Sequence, residues 1–416
     1  MKWKRKSTWT WSLRRQIPSC TRSPMAQDPR NEPAFIEAAE SRRKIRVLQL
    51  STVHPWDDNR ICRKICMSLA NDGFDVVLMA REANSKTALT PDDVELHVLP
   101  SPKNRILRGI MSLGIWRRVR KLQPAIVHYH DPELIPAALL LRLMGYKTIY
   151  DVHEDYPENI RIKEWVPRLL RRPLSSVMAL FERVAAYVST AIFVVTDQIG
   201  RRFPRERTFQ LRNYPKLAEV EAGSHRRDPL PSDAPIVFVG GLTEVRGIRE
   251  MVDGISEARF PDRRLVIMGS SRDQDLRNWL DQREGQGFLS LRGWCTREEV
   301  VEAMAGARCG MLLYLPTRPH VDALPTKLFE YMGAGLPVIA SDFPLWRGIV
   351  DGQQCGILVD PTSRVEIAKA VDWMYENPED ARKMGENGRR AIRDHLNWES
   401  ESTKLRQVYA GISASL

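Results

Sequence analysis

Asp322 and Glu330 are two carboxylates separated by seven residues, and they bracket Pro325, Thr326 and Lys327 ahead of a Gly335-Leu336-Pro337 stop. Pro325 suits the first turn of a helix, where its missing N–H would be unpaired anyway, and Gly335 with Pro337 suits its end. Such a helix opens with free N–H groups around Thr326 and Lys327, a ready anion site, and Lys327 adds a point charge. Glu330 lies one turn on, on the same face. A carboxylate so close to a phosphate needs another partner, and ribose hydroxyls would serve. Asp322, in the loop before the helix, is placed to accept from a sugar beyond the phosphates. The competing reading is a capped amphipathic helix with surface charges.

A second anion-binding pattern is Phe238-Val-Gly240-Gly241-Leu-Thr-Glu-Val-Arg246-Gly247, a strand, a glycine turn and a helix start. Glycines let the backbone approach a diphosphate, and Arg246 can pair with it. Gly293-Trp294 closes another strand, where Trp294 either meets a ligand or simply packs. Asp273-Gln-Asp275 has the look of a metal motif, but it falls at a helix start, and capping explains it better. No metal and no cofactor are implied.

Earlier in the chain, His54-Pro-Trp-Asp-Asp58-Asn-Arg60 follows the first strand, at the loop where doubly wound sheets bind ligands. An ion-paired cap made by Asp58 and Arg60 is the alternative. His128-Tyr-His130-Asp131-Pro-Glu133 and Asp151-Val-His153-Glu154-Asp155 each close a strand at its carboxyl end. Three histidines beside carboxylates at two adjacent strand tips point to a site. His153 is the foremost candidate, and His128, His130 and Glu133 follow.

The elements that must carry these groups alternate. Apolar runs at 45–51, 74–80, 94–100, 125–130, 147–153 and 191–196 read as strands, with helical periodicity between them. A Pro/Gly-rich pause follows, then a second series at 236–240, 264–269, 288–293, 310–315, 337–341 and 356–359. Apolar strands alternating with helices imply parallel sheets covered on both faces. The expected organisation is therefore α/β. It comprises a basic, disordered extension (1–43), a Rossmann-like domain (44–215), a linker (216–234), a second Rossmann-like domain (235–395) and a C-terminal helix (396–416) crossing back to the first.

A length of 416 residues suits two domains, and 43% hydrophobic with 28% charged residues is ordinary for a globular chain. The net charge of +11 favours polyanionic partners. Six scattered cysteines lack C-x-x-C spacing and suit a reducing cytoplasm, with Cys62 and Cys66 packing on one helix face. The N-terminus is basic without a signal-peptide core, and Met25 is an alternative start. Lys103, Arg105, Arg108, Arg117, Arg118, Arg120 and Lys121 are interleaved with apolar residues and no acid, a basic amphipathic stretch suited to anionic lipid. A solvated basic face is the alternative. No nucleic-acid-binding motif appears.

The stretch Asp322 to Pro337 resembles the signature of glycosyltransferase family four, retaining enzymes of the GT-B fold, with Asp322 in place of the more usual Glu. The segment from His54 to Lys64 is similar to the family's opening pattern. The resemblance implies that Glu330 binds the donor ribose, Asp322 contacts the transferred sugar and His153 touches that sugar near its reacting carbon. It places Trp294 by the nucleotide base. It implies metal-independent stabilisation of the leaving diphosphate by Arg246, Lys327 and helix N-termini. Members usually carry Arg where Gly241 stands and Lys where Arg246 stands, and Lys327 is the expected substitute for the missing arginine. The implied function is transfer from a nucleotide-diphosphate sugar to a glycan or polyprenyl-linked acceptor. The implied setting is cell-surface polysaccharide synthesis at the cytoplasmic face of the inner membrane. A GT-B epimerase or phosphorylase, and a non-catalytic nucleotide-sugar scaffold, remain as alternatives.

Overall fold

A strand buried on both faces keeps an unbroken apolar run, and a polar residue inside such a run must find its partners within the protein. Both kinds of residue shape this fold. The computed structural model describes residues 44–83, 91–100, 105–163, 166–221 and 227–416. The basic extension 1–43, with Cys20 and Met25, lies outside the described residues, as do Lys103 and the side chain of Arg105.

The first sheet contains β1 (Arg46–Pro55), β2 (Asp75–Arg81), β3 (Val94–Leu99), β4 (Ile126–Tyr129), β5 (Lys147–Val152), β6 (Ala191–Val194) and β7 (Thr208–Gln210). They are parallel and run in the order β3-β2-β1-β4-β5-β6-β7. The second contains β8 (Ile236–Val239), β9 (Leu265–Met268), β10 (Leu289–Leu291), β11 (Cys309–Leu312), β12 (Val338–Ser341) and β13 (Gly356–Val359). These are parallel too, in the order β10-β9-β8-β11-β12-β13. In each sheet the winding direction reverses beside the first strand, between β1 and β4 and between β8 and β11. A doubly wound sheet opens a crevice at such a switch point, outside the carboxyl ends of the strands. The two crevices fall at the His54 loop and at Gly240-Gly241.

Every strand expected from apolar runs is present, and β7 is the addition. Its residues Thr208, Phe209 and Gln210 form a short edge strand with no buried member, so no apolar run announces it. The helix expected to carry Cys62 and Cys66 is a π-helix, Asn59–Cys66, continuing into α-helix Met67–Asn71. Asp58 caps it by accepting from the N–H groups of Arg60 and Ile61. Cys62 and Cys66 are buried on it. Asp273 likewise caps the helix Gln274–Glu284, accepting from the N–H groups of Asp275 and Leu276.

The chain crosses between sheets at 211–215. The Pro/Gly-rich segment that follows begins with an ordered turn, Leu217–Glu221, whose Val220 packs on Gly333. The last helix, Trp398–Ser413, returns to the first sheet and buries Trp398, Leu405, Tyr409 and Ile412 there beside Leu69 and Phe193.

Candidate functional site

At the carboxyl end of the second sheet lies a cleft of about 520 Å³. Gly240, Gly241, Trp294, Lys327 and Glu330 all line it, together with Gly269, Val300 and Met304. Gly269 belongs there for a steric reason: its φ is +155°, and an added Cβ would collide with the Gly240 carbonyl. Trp294 is 79% exposed, which removes packing as its explanation. Pro325 is the N-cap residue of the helix Thr326–Gly333, in extended conformation with no side-chain cap, so the first N–H groups are left for another acceptor. Thr326 is exposed at that end. Lys327 Nζ donates to Glu330 Oε2 at 2.6 Å, so the groups expected to hold phosphate and ribose hold each other here.

Arg246 lies in a 3-10 turn, Glu244–Arg246, ahead of the helix Ile248–Glu257. Its Nη1 donates to the Gly241 carbonyl at 2.8 Å, and its guanidinium lies 5.9 Å from the centre of the Tyr314 ring. The same Nη1 is 3.0 Å from where a Cβ on Gly241 would stand. The space an arginine at 241 would use is therefore filled by Arg246. Lys327, the expected substitute for the missing arginine, is paired with Glu330 here, and Arg246 is the cation that stands over Gly241. Asp322 follows the short helix Arg318–Val321, and its loop is pinned by Trp346 Nε1, which donates to Ala323 O at 2.7 Å.

The first sheet supplies a buried polar network. Residues i and i+2 of a strand share a face, which puts Gln49, His128, His130, Asp151 and His153 on one side of β1, β4 and β5. Asp151 is fully buried and takes Arg60 in a two-pronged pair, Nε at 3.0 Å and Nη2 at 2.7 Å. Asp151 Oδ2 also lies 3.0 Å from His153 Nε2 and 3.2 Å from His130 Nδ1. Burial alone would raise this carboxyl, but Arg60 and His153 hold it well below the usual carboxylate range. Beyond His130, Nε2 meets Gln49 Oε1 at 3.0 Å, Gln49 donates to the Tyr409 hydroxyl at 2.9 Å, and that hydroxyl meets His128 Nδ1 at 2.9 Å. The last helix is thereby tied to the histidine at the cleft.

Several first-domain expectations change. Arg60, 4% exposed, pairs with Asp151 and not with Asp58. His130 and His128 are wholly buried, so they support His153 from behind and do not line the cleft. Burial pushes both imidazoles down toward the neutral form. Glu133 is held by Thr52 Oγ1 at 2.6 Å and by Arg108 at 2.7 and 3.1 Å. His54 keeps its place: its Nδ1 is 3.4 Å from Asp58 Oδ2, and its ring centre is 5.2 Å from that of His153. Burial works against its charge, but Asp58 and Asp131 outweigh that and raise its pKa.

Among the described residues, His128, His130 and Asp151 have metal-binding dimensions, with ligand atoms within 4.8 Å of one another. The guanidinium of Arg60 already engages both Asp151 oxygens, and a second cation there would face it directly. The two domains meet beside His153, where Arg318 Nη1 lies 3.3 Å from Glu158 Oε1 in the helix Tyr156–Ile162.

Lys64 and Asp151 fall inside segments singled out in the sequence, but nothing local marks either as a buried charge. Lys64 is 2% exposed and donates to Asn213 Oδ1 at 2.8 Å and to Tyr214 O at 2.6 Å, clasping the crossover. Burial pushes its pKa from 10.5 down to about 8, against the pull of Glu219 and Glu330. Between those two values the unfolded chain holds a proton that the folded chain has lost, so stability rises with pH across that window. The gain is about 3 kcal/mol. Urea unfolding of the parent and of Lys64→Met, compared at pH 8 and pH 10, measures it. A parent whose stability gains nothing over the variant in that interval rules the shift out.

Two families match the chain. Residues 59–213 match the glycosyl transferase 4-like domain and residues 225–391 match glycosyl transferases group 1. The alpha-D-kanosaminyltransferase of Streptomyces kanamyceticus is 25% identical over 328 residues, covering 70% of this chain and 81% of that protein. The D-rhamnosyltransferase WbpZ of Pseudomonas aeruginosa is 23% identical, covering 66% and 71%. In fold, the chain is similar to the sucrose-phosphate synthase of Thermosynechococcus elongatus, with a TM-score of 0.71 at 18% identity over 90% of this chain and 100% of that one. HepE of Anabaena, solved in complex with UDP, gives 0.68 at 13% identity, covering 89% and 100%.

Proposed function

The chain is a glycosyltransferase of the GT-B fold and family-four type, a 4-like half joined to a group 1 half, and we propose that its donor is a nucleotide-diphosphate sugar held by the second half. In this reading the acceptor is a glycan or polyprenyl-linked glycan on the first half, the product belongs to cell-surface polysaccharide, and configuration is retained. The observation that carries it is the cleft where Gly240, Gly241, Trp294, Lys327 and Glu330 converge on one helix N-terminus. Transfer homologues favour this over an epimerase, a phosphorylase or a scaffold.

The diphosphate lies against the glycine turn and the open N–H groups of the helix Thr326–Gly333. Ribose displaces Lys327 from Glu330, and the freed ammonium turns to the phosphates. Trp294 covers the base, and the sugar extends toward Asp322 and His153. The acceptor oxygen bonds to the anomeric carbon as that carbon's bond to the diphosphate oxygen breaks. The electron pair goes to the diphosphate, which takes the acceptor's proton on the same face. Position and fixed positive charge supply the acceleration.

Glu330→Gln tests the donor site. It turns a charged acceptor into a neutral one and should weaken UDP or GDP binding by roughly 1–3 kcal/mol in calorimetry. Unchanged affinity for both nucleotides in a folded variant refutes the ribose assignment.

The first half also presents the partner surface of this reading, the anionic cytoplasmic face of the inner membrane. Four helices pack together: Arg105–Gly114, Trp116–Leu122, Ile135–Leu143 and Arg168–Val188. They expose Leu107, Ile110, Leu143, Leu169 and Leu180 among arginines. No described helix is long and apolar enough to cross a membrane. Replacing Arg117 and Arg120 by Gln and Leu169 and Leu170 by Ser should release the protein from phosphatidylglycerol vesicles, each charge contributing about 1 kcal/mol. Equal sedimentation of variant and parent at matched salt eliminates this face.

A further inference from the structure

We propose that the first domain holds a lipid diphosphate, the anchoring end of the acceptor, in a groove between edge strand β3 and the helices 105–122. The proposal rests on the transfer reading above, and it names the acceptor's chemistry.

Two cavities, of about 210 and 270 Å³, share Arg118 as a border. Their helical wall is one stripe at spacings of three and four: Arg108, Met111, Gly114 and Ile115, then Arg118, Lys121 and Leu122. The opposite wall is the end of β3, with Leu99 and Pro100 beside the first cavity and Val98 over Met79 beside the second. The walls are mostly apolar, with Thr52 and His97 among them, and the rim carries the cations. Together the two spaces fall within the roughly 300–1,000 Å³ of small-molecule sites.

Charge selects the occupant. No Asp or Glu occurs between Glu95 and Asp131. Glu133 already neutralises Arg108, and Glu95 is paired with His97 and Arg46. Arg118 has no carboxylate partner among the described residues, and Lys121 follows one turn later on the same stripe. An apolar trough under unpaired cations fits a hydrocarbon chain ending in phosphate. A neutral glycan would leave the trough wet and the cations unmatched.

Behind the groove, a buried chain of contacts runs toward His153. Thr52 lines the first cavity, and its N–H donates to Asp131 Oδ2 at 2.6 Å. Asp131 Oδ1 is 3.9 Å from His54 Nε2, and the His54 ring lies tilted with its centre 5.2 Å from that of His153. A sugar carried on the diphosphate at this end reaches toward His153. The outer surface of the same helix exposes Leu107, Ile110 and Leu113, so a chain drawn from a bilayer has a short path.

Gly114 provides the test. It lines the groove, and a Cβ added there meets nothing within 4 Å. Gly114→Leu therefore fills the trough without backbone strain, and a better helix former at that position favours folding. The probe is farnesyl diphosphate below its micelle concentration, titrated by calorimetry against inorganic pyrophosphate, with UDP and GDP as controls. The parent should bind farnesyl diphosphate at least tenfold more tightly than pyrophosphate. Gly114→Leu and Arg118→Gln should each weaken it tenfold or more, while nucleotide affinity stays as in the parent for both and vesicle binding stays as in the parent for Gly114→Leu. Farnesyl diphosphate bound no better than pyrophosphate, or bound equally by Gly114→Leu, overturns the groove. Vesicle binding lost together with farnesyl binding in Gly114→Leu also overturns it, in favour of a membrane anchor. Loss of nucleotide binding by the parent would instead strike the donor reading and leave the groove standing.

Discussion

Asp151→Asn is expected to lose about 3–5 kcal/mol of folding stability, because it leaves the buried Arg60 guanidinium without its counter-charge. Asp151 is wholly buried and Arg60 nearly so, and their pair is two-pronged. An amide has the shape of the carboxylate but offers one acceptor oxygen where two Arg60 N–H groups and His153 Nε2 now converge. Arg60 also donates to Leu211 O at 3.1 Å, at the start of the crossover, so the loss spreads to the joint between domains. The reaction should suffer as well, since Asp151 orients His153 through Nε2. Arg60→Met with Asp151→Leu removes both charges together, and it should recover most of the stability while leaving His153 unanchored and activity low. Urea midpoints and transfer rates on the three proteins separate these effects. A single Asn variant within 1 kcal/mol of the parent would falsify the account of Asp151 as the charge anchor.

The fold was legible because both sheets are parallel and buried, so each strand except β7 announces itself as an apolar run between helical periods. The glycine turn and the Asp322–Pro337 segment were legible for a similar local reason: caps, stops and glycines act within a few residues of themselves. What the sequence hid is long-range. Lys64 meets Asn213 and Tyr214, Gln49 meets Tyr409, and Arg60 meets Asp151, pairs separated by 149 or 150, 360 and 91 positions. Local spacing carries no trace of such partners. The histidines at the strand tips drew attention correctly, but their roles depend on depth. His128 and His130 belong to the interior, and only His153 and His54 keep partly open faces. Arg60 misled for the same reason, since its neighbour in sequence, Asp58, is a cap and its true partner arrives from another strand.

The charge that faces the leaving diphosphate depends on how Arg246 stands over Gly241. Negative charge grows on that phosphate as the sugar's bond breaks, so a fixed cation there favours the transition state over the bound donor. Arg246→Ala should lower kcat on the order of 100-fold with a smaller change in donor affinity. Geometry permits a sharper test than deletion. Gly241 has no left-handed φ, and its missing Cβ would point at the flexible tip of Arg246, 3.0 Å away. An arginine introduced at 241 in the Arg246→Ala background starts from the space the native guanidinium fills. Gly241→Arg with Arg246→Ala should therefore recover at least tenfold of the lost kcat. Gly241→Leu in the same background should recover none, since it supplies bulk without charge. Single-turnover transfer from a saturating donor reads the step directly. If Arg246→Ala turns over within a few-fold of the parent, the guanidinium is only a brace for the Gly241 carbonyl. If the loss is large but Arg and Leu at 241 behave alike, the cation must act from 246 itself, through its seat on Tyr314, and the two positions are not interchangeable.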